Sequence, residues 1–287
     1  MLLRDFIFSY NQSLKNDLHK NKKIKFIKKI FYYPYKFFLD KLRELFLVKK
    51  NNLDKNIEFK NLKDLNLDEL FIKFNTDKGS KFIMKNKEFS GHNYSPFYER
   101  FLSRFRNKKE LKILEIGSLR GSATASFYYY FDNPQIFCAD INPFQIQVFS
   151  KNIRKFFLDT QSKNSLMNLA NYIKEEFDII IDDGSHNIKD QITSISILFE
   201  NLKNNGLYII EDASQYLSSP NLNSDKLSYG AKEILLSVVN KDLTKQNYLD
   251  QNKSDFLNKK IKKISVENGS HYINGINISE ILFIEKD

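Results

Sequence analysis

Two short stretches concentrate side chains that can do chemistry. D-D-G-S-H places Asp182, Asp183 and His186 side by side, and I-I-E-D brings Glu211 and Asp212 about one strand–helix unit later. Each closes an apolar run that reads as a strand. If those strands are parallel neighbours, three or four carboxylates face one pocket. Carboxylates that close repel one another and raise each other's pKa. A hard cation resolves the conflict by taking oxygen ligands; Mg²⁺ suits such a site, and Mn²⁺ fits as well. Asp183, Glu211 and Asp212 are therefore the expected metal ligands. His186 stands three residues past Asp183, where a neutral imidazole can take a proton. Taken singly, each residue has a plainer reading, as a strand-end acid bonded to loop N–H groups or a helix-cap histidine. Together they point to a site.

A second group lies upstream. L-E-I-G-S-L-R-G-S carries Glu115, Gly117, Ser118, Gly121 and Ser122 on a strand-to-helix turn. Glycines there let backbone approach a ligand, and the helix start offers free N–H donors. The spacing is not G-x-G-x-x-G, so an amino-acid moiety suits the loop better than a pyrophosphate. Asp140 ends the next apolar run, 23 residues after Gly117. An acid at that position can accept both hydroxyls of a ribose.

These residues need a sheet to position them. Strands are expected at 112–117, 135–140, 155–159, 177–183 and 206–212, with helices at 121–131, 187–203 and 229–240. I-K-K-I-S-V-E and E-I-L-F-I-E flank N-G-S and N-G turn signals and read as a closing pair. The expected fold is α/β: a Rossmann-like, doubly wound, mostly parallel sheet with an antiparallel C-terminal strand and an N-terminal helical extension. Ligands in such sheets bind at the carboxyl ends of the strands.

Composition narrows the class. The chain has 287 residues, with 41% hydrophobic and 14% aromatic, enough for a real core. No run approaches the ~18 apolar residues of a spanning helix. One cysteine, Cys138, excludes a disulfide framework and a cysteine-based zinc site. The formal charge of +10 is uneven: residues 1–50 hold 13 basic and 4 acidic residues, the rest 32 and 31. A near-neutral body carries little footprint for nucleic acid. Residues 1–50 read as a basic amphipathic helical leader. Phe26, Ile27, Ile30 and Phe31 fall at helical spacing among lysines, Pro34 interrupts, and Leu39, Leu42, Leu45 and Phe46 resume. That pattern suits peripheral membrane contact through residues 20–48 or packing on protein. Residues 51–66 read as a linker and 67–287 as the catalytic body. M-L-L-R-D-F-I-F-S-Y-N has no clean apolar run and no cleavage site, so a cytoplasmic setting is expected, up to the inner face of the membrane.

Residues from about 74 resemble class I S-adenosylmethionine-dependent methyltransferases, in particular the metal-dependent sugar O-methyltransferases of macrolide biosynthesis. The matching segments are T-D-K-G-S (76–80), H-N-Y (92–94), L-E-I-G-S-L-R-G-S (114–122), D-D-G-S-H (182–186), I-I-E-D (209–212) and F-I-E-K (283–286). The L-E-I-G loop is broad to methyltransferases; D-D-G-S-H followed by I-E-D is more specific. The resemblance implies that Glu115, Gly117, Ser118 and Gly121 line the methionine part of S-adenosylmethionine and that Asp140 holds the ribose. Asp159 falls near the adenine, and Ser122 and Asp182 count among the cofactor contacts. Asp183, Glu211 and Asp212 would bind Mg²⁺, with His186 as base and Asp183 beside it in catalysis. The acceptor would be a saccharide or glycan intermediate, and the relatives' habit is self-association into homo-oligomers. Tyr94, Tyr98 and Tyr216 are candidate acceptor-lining residues. His92 and His271 have no assigned role.

The chain departs from the family pattern in three places. Leu158 stands where glycine often precedes the aspartate, Asn205 breaks a double glycine, and Phe127 lies near the usual place of a tryptophan. An RNA or protein methyltransferase, or a non-catalytic cofactor-binding scaffold, is the alternative. The near-neutral body weighs against RNA, and the retained acids and His186 weigh against a scaffold.

Overall fold

The computed structural model describes residues 2–16, 27–32, 34–35, 38–39, 42, 52–55, 62–214, 229–242, 248–273 and 275–287. Helix α1 (Leu3–Asn16) comes first. Helix α2 (Leu67–Phe74) starts at a reciprocal cap: the Asn66 side chain accepts from the Glu69 N–H and the Glu69 side chain accepts from the Asn66 N–H. A hairpin of β1 (Lys81–Met84) and β2 (Lys87–Ser90) follows, then α3 (Ser95–Leu102). The alternating body runs β3 (Lys112–Ile116), α4 (Ser122–Tyr130), β4 (Gln135–Asp140), β5 (Ile153–Phe157), α5 (Lys163–Ile173), β6 (Phe177–Asp182), α6 (Ile188–Leu198) and β7 (Leu202–Ile210). It closes with α7 (Ala231–Val239), α8 (Gln251–Lys260), β8 (Ile261–Asn268), the short pair β9 (Tyr272–Ile273) and β10 (Ile276–Asn277), and β11 (Glu280–Lys286).

The main sheet has seven strands in the order β5-β4-β3-β6-β7-β11-β8. β5, β4, β3, β6 and β7 are parallel; β11 runs antiparallel between β7 and β8. The chain winds outward from β3 to β5, then returns to add β6 on the other side of β3. That reversal opens a crevice at the carboxyl ends of β3 and β6. All seven strands fall in segments whose apolar character marks them as strands. Two starts differ: β5 begins at Ile153, ahead of the expected Lys155, and β7 at Leu202, ahead of the expected Gly206. N-N-G forms a bulge there, with Asn205 at φ 58° and a register shift opposite Phe177–Ile179, so pairing resumes on both sides. Helix α6 accordingly stops at Leu198.

Alternation along the strands makes two cores. Leu114, Ile116, Phe137 and Ile180 face α5 and α6 through Leu166, Leu169, Ile192 and Ile195. Ile113, Cys138, Ile179 and Ile209 face the other way, onto Leu70, Phe71, Tyr98 and Phe127. Glu115 shares that second face, where it is buried and its carboxylate accepts from the Thr124 hydroxyl. Truncating any of these central isoleucines or leucines to alanine costs about 2–5 kcal/mol.

Helix α1 covers the free edge of β5. The Phe157 N–H, which no strand can take, donates to Ser9 Oγ at 2.9 Å. Arg154 on β5 grips the fully buried Asp5 with two hydrogen bonds of 3.0 and 2.8 Å. A covered edge cannot template pairing with another chain. The sequence reads residues 1–50 as one leader, yet α1 packs on the body through Asp5 and Ser9. Ile27, Ile30, Phe31 and Phe38 are exposed; Phe26, Leu45 and Phe46 lie outside the described residues. Residues 52–55, read as linker, also pack: Leu53 is buried and its N–H donates to Phe149 O at 2.9 Å. Among the described residues no helix is long and apolar enough to cross a membrane.

Candidate active site

Two segments far from the strand ends are brought to the site as the legs of one hairpin. Residues 77–80 and 91–94 run side by side, with Gly91 N–H on Ser80 O, His92 N–H on Asp77 O, Asn93 N–H on Gly79 O and Tyr94 N–H on Lys78 O, at 2.6–3.0 Å. A Cβ on Gly91 would lie 2.0 Å from the Gly79 carbonyl oxygen, so only glycine lets the legs meet. Asp68 on α2 accepts from the Ser80 N–H and from the hydroxyls of Ser80 and Ser95, at 2.6–2.8 Å. Ser270, past β8, donates its N–H to His92 O and its hydroxyl to Gly91 O, each at 2.8 Å. The legs are thus fixed from both sides, and they present Lys78, His92 and Tyr94 to the crevice.

The strand ends meet them. Gly117 follows β3 at φ 81°, and a Cβ on it would lie 1.9 Å from the Asp183 carbonyl oxygen. The glycine therefore lets the β3 and β6 loops touch, a duty beyond that of approaching a ligand. Gly117→Ala is expected to cost at least about 2 kcal/mol, combining strain at positive φ with a backbone clash. Urea unfolding checks it, and an unchanged midpoint would refute the close approach. Leu119, His186 and Asp212 also hold left-handed backbone, at φ 45°, 54° and 49°. Each such non-glycine residue costs on the order of 1 kcal/mol, and such strain clusters where side chains must be aimed.

The aimed groups form one buried cluster. Lys78, only 4% exposed, donates to Asp183 Oδ2 at 2.6 Å and to Glu211 Oε2 at 2.5 Å. The other Glu211 oxygen accepts from Tyr98. Asp212 Oδ1 accepts from Tyr94 at 2.5 Å and lies 3.1 Å from His92 Nδ1. His186 stands between the two aspartates, Nε2 3.9 Å from Asp183 Oδ1 and Nδ1 3.9 Å from Asp212 Oδ2. Those distances are too long for hydrogen bonds.

The electrostatics follow from burial and excess negative charge. Burial opposes the Lys78 ammonium, but Asp183 and Glu211 outweigh it and push its pKa well above the usual lysine value. Burial, and then Asp183, drive Glu211 well above the ordinary carboxylate range. Burial raises Asp183 too, with Lys78 and His186 opposing. Asp212 goes down in spite of burial, because His92 and Tyr94 bond its charged form. His92 rises in return, Asp212 overcoming the burial that disfavours the imidazolium.

A cavity of about 700 Å³ opens over this cluster and runs to the β3 and β4 ends. Glu115, Gly117, Ser118, Ser122 and Asp140 line it, as do Lys78, Tyr94, Asp183, His186, Glu211 and Asp212. Gly121, at φ 86°, precedes α4 with no side-chain cap, so the helix start faces the cavity with its N–H groups uncapped by the chain. Asp140 is oriented by the N–H groups of Leu119 and Asn142, at 2.9 and 2.7 Å, and by Gln145 Nε2 at 3.1 Å. Glu115 accepts from Thr124 on α4.

Some expected residues fall off the wall. Tyr98, expected to line the acceptor site, is fully buried on α3 with its hydroxyl committed to Glu211. Asp159 does not reach the cavity; it accepts from the Gln161 N–H at 3.0 Å in its own turn. Asp182 is buried behind it, bonded by the Tyr208 hydroxyl at 3.2 Å and the Gly184 N–H at 3.3 Å. Tyr216 lies outside the described residues. Glu211 is at the site, but both of its oxygens already have protein partners. The sequence gives Lys78 and His92 no role; T-D-K-G-S and H-N-Y mark their segments without naming their chemistry.

Burial pushes Asp182 up to about 7. An unfolded aspartate titrates near ~3.9, so the native state holds this proton more tightly. The stability so contributed is full below about pH 4 and is lost as pH rises towards 7. Asp182→Asn cannot ionise. Its melting temperature relative to wild type is therefore expected to climb from pH 4 to pH 7, read by calorimetry. A flat difference across that window would contradict the assignment.

Residues 107–269 match the family described as "Methyltransferase domain". The chain belongs to this family. Among curated relatives of this methyltransferase domain, L-olivosyl-oleandolide 3-O-methyltransferase of Streptomyces antibioticus is 30% identical over 153 residues, 51% of this chain and 36% of the relative. Mycinamicin VI 2''-O-methyltransferase of Micromonospora griseorubida is 32% identical over 128 residues, 42% of this chain and 31% of the relative. The chain thus spans about a third of the length of these relatives. Among solved structures, the MycE methyltransferase of the mycinamycin biosynthetic pathway, in complex with Mg and SAH, superposes with a TM-score of 0.56. It is 23% identical, covering 77% of this chain and 55% of that one. That likeness establishes the shared fold.

Proposed function

We propose that this methyltransferase domain transfers a methyl group from S-adenosylmethionine to a sugar hydroxyl, with a divalent cation at the carboxylate cluster. The observation that carries the reading is that one cavity holds both groups of residues. An oriented acid and an uncapped helix start stand at one end, and three carboxylates, Glu211 buried and Asp183 and Asp212 partly exposed, with a histidine at the other. The named relatives, all sugar or macrolide-pathway O-methyltransferases, support the acceptor class.

The donor set fits a hard cation. One ligand atom each from Asp183, His186 and Asp212 lies within 4.8 Å of the others. Asp183 and Asp212 would hold the ion, with Glu211 behind them. Bound there, Mg²⁺ or Mn²⁺ supplies a Lewis acid beside the acceptor hydroxyl, and S-adenosylmethionine supplies an electrophilic methyl.

The protein's own groups do the rest. Asp140, pinned by its three donors, accepts from ribose hydroxyls. The start of α4 and the Gly117–Gly121 loop receive the methionine end. His186, on its strained turn, takes the proton that the acceptor hydroxyl loses. Tyr94 and His92 keep Asp212 turned as His186 and the acceptor need it. Holding both reactants in one cavity orients them towards each other. Self-association and membrane contact through residues 20–48 remain part of the proposal; most of that segment lies outside the described residues.

The test offers methyl-labelled S-adenosylmethionine with glycosides of deoxysugars, a polysaccharide fraction, total RNA and total protein, in separate reactions. Label in a carbohydrate acceptor supports the reading. Label confined to RNA or protein replaces the acceptor class, and absence of label together with absence of cofactor binding by calorimetry makes the chain a scaffold.

A further inference from the structure

Lys78 is the one cation inside the carboxylate cluster among the described residues that bonds two of its acids directly. Asp183, Glu211 and Asp212 carry three formal negative charges, and Lys78 cancels one. The lysine is not a flexible surface group that wandered in: its backbone carbonyl accepts from the Tyr94 N–H at 2.8 Å, and its ammonium is nearly sealed from water. It arrives from a hairpin clamped on both sides, so the charge is delivered to a fixed point.

We propose that Lys78 is a resident counter-ion of the metal site, holding Asp183 and Glu211 together without metal and weakening the grip on the divalent ion. Two unit charges a few ångströms apart interact strongly in a site this dry. A lysine at that distance from a bound divalent ion repels it, while the carboxylates it shares with the ion stay in place when the ion leaves. The cluster is then stable in both states, and the ion exchanges. The proposal rests on the cation site proposed above.

The experiment is Mn²⁺ titration of the full chain by calorimetry, with thermal unfolding in EDTA and in Mn²⁺. Lys78→Met removes the charge and keeps the length; Lys78→Arg keeps the charge. Lys78→Met is expected to bind Mn²⁺ at least about tenfold more tightly than wild type. It should melt lower in EDTA and gain more from Mn²⁺ than wild type does. Lys78→Arg should stay within about threefold of wild-type affinity. Equal or weaker binding by Lys78→Met would overturn the proposal and leave the cation site standing. Should Lys78→Met fold only with Mn²⁺ present, the ion has replaced the lysine, which supports it. A variant that folds in neither buffer makes Lys78 a plain structural strut and overturns it. No Mn²⁺ binding by wild type as well as variant would instead sink the cation site itself.

Discussion

Asp183→Asn is expected to lower methyl transfer by about 10³-fold, the scale of removing one group that stabilises charge in a dry site. The substitution keeps the shape of the side chain but removes a ligand oxygen's charge and one of the two partners of Lys78. Asp183 also stands where the Gly117 loop touches the β6 end, and its backbone is unaltered in the variant. The fold should survive, so the loss should appear in turnover and in cation binding. Mn²⁺ should no longer raise the melting temperature. Full turnover by the variant, or an undiminished Mn²⁺ effect, would remove Asp183 from the ligand set.

His186→Ala is the second. General-base groups contribute typically about 10²–10⁴-fold, and a loss of about 10³-fold is expected here. His186 is partly open to the cavity, and deleting its ring leaves a hole beside Asp183 and Asp212. Added imidazole should enter that hole and restore part of the rate, while cation and cofactor affinity stay within a few-fold of wild type. Rescue separates a proton acceptor from a merely structural ring. A variant that keeps wild-type turnover would pass the proton role to another group, with His92 next in line through its contact with Asp212.

Much of this was legible because it is local. The strand-end acids fall on strands whose apolar runs are unmistakable, and a parallel sheet must bring neighbouring strand ends together. Asp140, Asp183, His186, Glu211 and Asp212 line one cavity for that reason. Lys78 was not legible: its contact with Asp183 spans 105 residues, and nothing in T-D-K-G-S says where a lysine on a hairpin leg will point. Tyr98 failed for the opposite reason. A tyrosine near a candidate site reads as a lining residue, but its position on the inner face of α3 buries the ring and turns the hydroxyl to Glu211. Gly117 reads as a glycine that lets backbone approach a ligand, yet its tightest neighbour is the Asp183 backbone. Helix α1 is hidden by its place in a basic leader; the pairing of Asp5 with Arg154 and Tyr172, of Ser9 with the β5 edge and of Gln12 with Asn168 shows that it belongs to the body.

The central claim is that the carboxylate cluster and the cofactor end of the cavity work together on one hydroxyl. Transfer of labelled methyl from S-adenosylmethionine to a sugar acceptor, measured in Mg²⁺ and in EDTA on the same protein, tests it most directly. The account predicts label in Mg²⁺, little or none in EDTA, and recovery when Mg²⁺ or Mn²⁺ is restored. Transfer that proceeds equally well in EDTA would contradict it, and would leave Asp183 and Glu211 as partners of Lys78 alone and Asp212 as the partner of Tyr94 and His92.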